Sequence, residues 1–286
     1  SWASLRSFVA VARRVREELA AAVGPIVALA GALALLALAP PREVMATIDP
    51  AARHQVIEAW EVTARMWEED KRGDRYDGSW LALRDPIADA LADARINRVR
   101  LELSSGTENP VDHWTKFTNG QVGYREFHAH RYEKINDNAD PRVSNPRGFQ
   151  FASLDYRVEN VVLPLRRALA ARGRRLAVNL CYVDFKWTRE KGDLSHADAP
   201  EEYAELILSA FDHLRAKYGL VPDDLELVLE PDNSDRWRGE QLGLAAVAVT
   251  RRLAEAGYAP RIIAPSTARA SNVNAYVAGM SKTPGA

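Results

Sequence analysis

One carboxylate follows directly on an apolar segment, where it could act in catalysis. The run Leu225–Leu229 predicts a buried strand, and the next residues are Glu230, Pro231, Asp232 and Asn233. Proline interrupts the pairing of a strand with its neighbours, so this order places Glu230 at the carboxyl end of the strand. Many enzymes built on parallel sheets carry their catalytic residues there. Glu230 is therefore the candidate catalytic acid; the alternative is a solvated residue that opens a Pro-Asp-Asn turn.

Two further strands are predicted to carry polar residues toward their ends. The apolar run Arg175–Phe185 includes Tyr182 and Asp184 near its end, and Trp187 lies just beyond it. The alternating run Ile96–Leu103 carries Arg100 and Glu102. Asp184 and Glu230 could act together as two carboxyl groups, whereas an ion pair with Arg98 or Arg100 would account for Glu102 without any catalytic role.

The segment Ser104–Ser153 is too long for a plain connection between two elements. It holds Trp114 and several histidine, asparagine and aspartate residues. Aromatic rings beside amide and carboxylate groups are typical of a sugar-binding cleft, which predicts a role for Trp114 in binding. The alternatives are a self-packed surface loop and a metal site at His128 and His130, for which the spacing provides no third ligand.

The remaining pattern alternates helices with strands and predicts an α/β protein with a parallel sheet. No glycine-rich phosphate loop of the kind found in doubly wound folds is present. An incomplete (β/α)8 barrel with about five βα units is therefore favoured over a doubly wound sheet. The mixed segments Val44–Ile48 and Gln55–Ala64 would form the first unit. The predicted helices are Ser79–Ala94, Leu154–Arg172 with a kink at Pro164, Pro200–Tyr218 and Glu240–Ala256, and the last predicted strand is Arg261–Pro265.

The composition limits the kinds of function that the chain could have. Its 38 basic and 39 acidic residues give a net charge of −1, which argues against a nucleic-acid-binding surface. Cys181 is the single cysteine, so an internal disulfide is excluded, and its apolar surroundings predict core packing. The sequence predicts no metal site and no cofactor, and it leaves the oligomeric state open.

The first forty residues differ from the rest of the chain. Basic residues at Arg6, Arg13, Arg14 and Arg16 precede the uncharged run Ala20–Ala39. Such a run is long enough to cross a bilayer, so residues 1–40 are predicted to be a signal peptide or membrane anchor, followed by one domain over residues 41–286. The protein would then be secreted or anchored outside the cytoplasm, and this segment alone would contact the membrane. The alternative is a buried helix, which Gly24-Pro25 would interrupt.

Three segments together resemble the retaining glycoside hydrolases that are built on a (β/α)8 barrel, the cellulase-like clan. They are RLEL at Arg100–Leu103, AVNLCYVDF at Ala177–Phe185 and VLEP at Val228–Pro231, and the resemblance covers roughly Val44–Pro265. It implies a polysaccharide or oligosaccharide substrate with β-linkages and Glu230 as the general acid/base. The nucleophile, a second glutamate, would follow Ala286, so this chain would be an inactive N-terminal fragment.

The resemblance also implies roles for other residues. Arg100 would help to keep the nucleophile ionised, and Tyr182 and Trp187 would lie in sugar subsites. The full predicted set of substrate-binding residues is Arg100, Trp114, Tyr182, Asp184, Trp187 and Asn233.

One position departs from the pattern of the clan. Leu229 stands where these enzymes carry an asparagine that contacts the 2-hydroxyl of the sugar. Asn233 or another polar group would have to replace that contact. The departure favours a second reading, in which the chain is a carbohydrate-binding barrel without catalytic activity. A third reading is an inverting enzyme that uses Asp184 and Glu230 as its two carboxyl groups.

Overall fold

The computed structural model describes residues 45–65, 71–234 and 236–286. The chain divides into two units, Ser1–Val56 and Ile57–Ala286, and the second holds the sheet and its helices. The predicted signal peptide or anchor at residues 1–40 lies outside the described residues. Within the part of the chain that is described, no helix combines the length and the hydropathy needed to cross a membrane.

The second unit is an α/β structure with a parallel central sheet. Its strands are β1 (Glu61–Thr63), β4 (Arg98–Ser104), β5 (Ala177–Val183), β6 (Asp224–Glu226) and β7 (Arg261–Ile263). The labels β2 (Lys71–Arg72) and β3 (Arg75–Tyr76) belong to a separate small hairpin. The sheet has the order β1-β4-β5-β6-β7, and every neighbouring pair is parallel. Within the sheet each strand pairs with the one before it in the chain, without the reversal of a doubly wound fold, so the arrangement is compatible with a partial TIM-like fold.

Helices connect the strands, close to the predicted positions. They are α1 (Arg84–Asp93), α2 (His113–Thr118), α3 (Tyr124–His130), α4 (Ala152–Arg157), α5 (Leu163–Ala170), α6 (Pro200–Tyr218), α7 (Gly239–Glu255) and α8 (Val273–Met280). The predicted bounds of α6 are confirmed, because Pro200 begins the helix and Gly219, with a φ of 57°, ends it in the left-handed conformation. The predicted irregularity near Pro164 is present as a π-helical segment, Val158–Val162, between α4 and α5.

The long insertion has more structure than its sequence indicated. The short helices α2 and α3 pack against each other through the rings of Trp114, Phe117 and Phe127. Each helix is too short for an apolar periodicity to be recognised in the sequence. The insertion is therefore a small packed layer with its own aromatic cluster.

The two faces of the sheet differ in chemistry. One face carries Val99, Leu101, Val178, Leu180 and Leu225, which pack into the main core with the helices. The other face is polar, and its charged side chains are paired. Arg98 bonds to Glu61 and to Asp224, each at 2.7 Å, and Asn179 donates to Glu226 at 2.9 Å. Burial of these charges is tolerated because each has a partner.

Candidate functional site

Glu230 lies on the carboxyl side of β6, which ends at Glu226 and not at Leu229 as predicted; an isolated parallel bridge between Leu229 and Ser266 precedes it. The Leu229 amide donates to the carbonyl of Tyr182 at 2.9 Å, and the Glu230 amide donates to the carbonyl of Ser266 at 2.9 Å. These bonds hold Leu229 and Glu230 between the end of β5 and the segment that follows β7. Its φ of 47° and ψ of 58° place it in the left-handed region. Among the described residues only Arg95 shares a positive φ without being glycine. Such a conformation costs about 1–3 kcal/mol and is concentrated at functional sites.

The carboxylate of Glu230 has a close neighbour in Asn233. Pro231–Asn233 form a single 3-10 turn, and this turn brings the Asn233 amide nitrogen to 2.7 Å from Glu230 Oε2. The Asn233 backbone amide also donates to the Glu230 carbonyl at 2.8 Å. The structure therefore brings together the predicted acid and the polar residue that was predicted to compensate for Leu229.

Asp184 follows β5 and accepts hydrogen bonds from three other segments. Ser105 Oγ donates at 2.9 Å, Lys134 Nζ at 2.7 Å and the indole nitrogen of Trp237 at 3.0 Å. Burial alone would raise the pKa of Asp184, but the charge and hydrogen bond of Lys134 oppose this and hold the pKa below its ordinary value. Asp184 is therefore a structural anion that joins the loops after β4 and β5 to the segment before α7.

A basic cavity opens beside Asp184. Its volume is about 420 Å³, and its lining includes Tyr132, Phe185, Lys134, Lys186, Lys191 and Arg236. The exposed ring of Trp187 stacks on Phe185 with 4.0 Å between the ring centroids. Phe185 in turn packs against Leu229, the residue before Glu230. The exposed ring of Trp187 thus lies against a buried apolar cluster that includes the residue before the predicted acid.

Two residues predicted to bind substrate are not accessible to it. Tyr182 is fully buried on the apolar face of the sheet, and its hydroxyl is 2.8 Å from His196 Nδ1. Trp114 is only 6% exposed because it is packed in the aromatic cluster of the insertion. The structure therefore corrects these two predictions: both rings belong to packing.

Arg100 occupies the polar face of the sheet. Its guanidinium lies 3.5 Å from the Glu102 carboxylate, and within the described residues it forms no ion pair with Glu230. The prediction that Arg100 holds a nucleophile ionised stays a prediction.

Several residues of this region were missed from the sequence. Lys134 is separated from Asp184 by 50 positions, and Trp237 by 53. His196 and Glu108, whose side chains are 2.7 Å apart and fully buried, are separated by 88 positions. No local pattern links residues at such separations.

Among the residues that the structure describes, two groups of side chains could hold a metal ion. One consists of Glu108, Asp137 and Glu202, and the other of His113, His130 and Glu133; within each group the candidate ligand atoms lie within 4.8 Å of one another. The second group includes His130 from the His-Ala-His segment. His113 and Glu133 are its further candidate ligands, which the spacing of that segment did not predict. In it, Glu133 already accepts a hydrogen bond from His130 at 2.7 Å.

A carboxylate near the first group gives a prediction for pH dependence. Burial raises the pKa of Glu205 to about 7, and the nearby charges of Asp137, Glu202 and Glu108 act in the same direction. A carboxyl group whose pKa is raised by folding destabilises the fold at high pH. The loss of stability develops as the pH rises from the pKa of the group in the unfolded chain to its pKa in the folded protein. We expect Glu205→Gln to increase the free energy of unfolding by roughly 3 kcal/mol at pH 8 and by less than about 0.5 kcal/mol at pH 4.5.

Chemical unfolding in EDTA-containing buffer at the two pH values measures this effect. The control is Glu201→Gln, on the same helix but at an exposed carboxylate that pairs with Arg251. Equal stabilisation of the Glu205→Gln protein at both pH values would contradict the assignment.

Comparison with known proteins finds similar solved structures but no matching family. No protein-family model matches the chain, and no curated protein matches it. One similar solved structure is the catalytic domain of GH30 xylanase C from Talaromyces cellulolyticus, with a TM-score of 0.47 and 11% identity over 82% of this chain and 52% of that chain. Another is a conserved exported protein from Bacteroides fragilis, with a TM-score of 0.46 and 14% identity over 78% of this chain and 46% of that chain. This chain thus spans about half the length of both proteins. At these TM-scores the likeness identifies neither a family nor a function.

Proposed function

We propose that the full-length protein is a glycoside hydrolase that acts on the O-glycosidic bonds of a β-linked glycan, with Glu230 as the general acid/base. The observation that carries the proposal is the conformation of Glu230, held left-handed at the carboxyl end of a parallel sheet with Asn233 against its carboxylate. The sheet order further supports a partial (β/α)8 barrel, in which that end of the sheet carries the catalytic groups.

In the proposed mechanism Glu230 protonates the oxygen of the leaving group. A second carboxylate, about 5–5.5 Å away, attacks the anomeric carbon and forms a covalent intermediate. Glu230 then accepts a proton from the water that hydrolyses this intermediate. Asn233 would orient the Glu230 side chain through its hydrogen bond.

The proposed cleft runs along the residues that follow β5. Trp187 would stack on the apolar face of a sugar, since its ring is 49% exposed and is supported from below by Phe185. The basic cavity beside Asp184 would place hydrogen-bond donors along the same groove. Trp187 and Asn233 are the proposed substrate-binding residues. The hydrogen bonds of Asp184 would hold in place the segments that line the cavity.

We expect Trp187→Ala to raise the KM for a polysaccharide about tenfold with little change in kcat, because the lost stacking contact is made equally in the ground state and the transition state. Initial rates over a range of substrate concentrations measure the effect. The matched control is Trp60→Ala, at another exposed tryptophan, which precedes β1 at the opposite end of the sheet. Equal effects of the two substitutions would remove Trp187 from the binding site.

A carbohydrate-binding protein without catalysis is the second candidate, and Leu229 favours it. Its side chain is 7% exposed and packs with Phe185, Cys181 and Val183. An asparagine at this position would lie in apolar surroundings and could not contact a sugar without rearrangement. The contact with the 2-hydroxyl of the sugar, which strengthens in the transition state of glycoside hydrolysis, is therefore absent at position 229.

One experiment separates the two candidates. The full-length protein is incubated with a panel of β-linked polysaccharides, and both sugar release and binding are measured for the wild type and for Glu230→Gln. Sugar release by the wild type alone supports the hydrolase. Binding by both proteins without release by either supports the binding protein.

A further inference from the structure

Four carboxylates meet at the carboxyl end of the sheet. Glu108 lies at the start of the insertion, in the loop after β4; Asp137 lies in the middle of the insertion, and Glu202 in the first turn of α6. One oxygen from each of these three residues lies within 4.8 Å of the others. Glu205, on the same helix, interacts electrostatically with all three. The cluster therefore joins three separate segments of the chain.

Glu108, Glu202 and Glu205 are buried without compensating positive charge, whereas Asp137 is partly exposed and only its Oδ1 is buried. Glu108 and Glu205 are each 1% exposed, and Glu202 is 8% exposed. Glu108 Oε1, Asp137 Oδ1, Glu202 Oε2 and both oxygens of Glu205 lack a hydrogen-bond partner. His196 bonds to the other oxygen of Glu108, but within the described residues no lysine or arginine forms an ion pair with the four. Buried carboxylate oxygens in this state are costly unless a proton or a cation is shared between them.

The geometry of the cluster suits one class of cation. All three ligand groups are carboxylate oxygens, which are preferred by hard divalent cations. Ca²⁺ is commonly bound by several protein carboxylates at once, whereas Mg²⁺ keeps several of its waters and is usually held by one or two carboxylates. We propose that Glu108, Asp137 and Glu202 form a Ca²⁺ site that fastens the insertion to α6 and to the loop after β4.

The position of Asp137 is already fixed without a cation. Its Oδ2 accepts hydrogen bonds from the Asn138 side chain and from the Asn145 backbone amide. Its Cβ packs closely on Gly148, where an added Cβ would lie only 2.2 Å away. These contacts leave Oδ1 buried and without a hydrogen-bond partner among the described residues. The Asp137 side chain is therefore positioned before a cation binds, which lowers the cost of binding.

The test uses the full-length protein, freed of divalent cations with EDTA and then exchanged into chelator-free buffer. Calorimetric titration with CaCl₂ is expected to show one site per chain, and CaCl₂ at 100 times the Kd is expected to raise the Tm by about 5–10 °C. Glu202→Gln is expected to weaken Ca²⁺ binding at least tenfold, because a neutral amide replaces a charged ligand. Its cation-free Tm should equal or exceed that of the wild type, since a like charge has been removed from the cluster.

The matched control is Glu201→Gln, which changes a neighbouring but exposed carboxylate on the same turn of α6 and should leave Ca²⁺ binding unchanged. Glu108→Gln serves as a second ligand variant with the same expected loss. Absence of Ca²⁺ binding to the wild type would overturn the proposal. Equal binding by the wild type, Glu202→Gln and Glu108→Gln would overturn it as well, as would a Ca²⁺ response that is lost in His113→Ala and kept in the two glutamine variants.

Discussion

The Glu230→Gln variant of the full-length protein is expected to lose glycoside turnover by a factor of about 10²–10⁴, the contribution of a positioned general acid. Glutamine keeps the shape of the side chain and can still interact with Asn233, but it has no proton to give to a leaving oxygen. The loss should fall on kcat, with the KM for a polysaccharide changed little, because the substrate contacts are retained. Steady-state rates with one β-linked polysaccharide measure both constants.

Leaving-group chemistry gives this prediction a sharper signature. An activated aryl glycoside departs without protonation, so its cleavage should depend less on Glu230 than cleavage of a natural linkage does. The control is Glu240→Gln, an exposed carboxylate at the start of α7 that pairs with Lys282 and should have no effect on rate. Unchanged turnover of the polysaccharide by Glu230→Gln would show that another group supplies the proton.

Local patterns were sufficient to locate most elements but not the contacts between them. The prediction of α6 followed from Pro200 and from the glycine that ends it, and both signals act within one turn of helix. The same kind of signal located Glu230 on the carboxyl side of a strand, although the strand ends four residues earlier, at Glu226. The helix α8 and the short helices of the insertion carry no comparable signal, so they were missed.

Side-chain direction explains the failure at Tyr182. Val178, Leu180 and Tyr182 alternate along β5 and therefore point to the same face, which the core residues Val178 and Leu180 identify as buried. The strand period could have shown that Tyr182 packs against the helices. For Trp114 no such signal exists, because its burial depends on an aromatic cluster built from separate helices.

Replacing Lys134 with Met is expected to lower the free energy of unfolding by about 3–5 kcal/mol at pH 7, the usual cost of removing one partner from a buried ion pair. The ammonium is 2.7 Å from Asp184, and both side chains are largely buried. Without Lys134, the Asp184 carboxylate keeps only the hydrogen bonds from Ser105 and Trp237. Denaturant unfolding measured by circular dichroism gives the difference.

The pH dependence of this loss follows from the direction of the Asp184 pKa. In the wild type that pKa is held below its ordinary value, so the contribution of Asp184 to stability is complete above the unfolded pKa of about 3.9 and is lost as the pH falls through the folded value. In Lys134→Met burial raises the pKa instead, and the folded variant gains stability by taking up a proton in mild acid. The deficit relative to the wild type should therefore shrink between pH 7 and pH 4.

The double variant Lys134→Met/Asp184→Asn separates loss of the charge pair from loss of packing. Because it no longer buries an unpaired carboxylate, it should be more stable at pH 7 than Lys134→Met alone. Lys282→Met, at an exposed ion pair with Glu240, should cost less than about 0.5 kcal/mol and controls for removal of a lysine charge. A deficit in Lys134→Met that stays constant across pH and persists in the double variant would show that the lysine stem, not its charge, stabilises these loops.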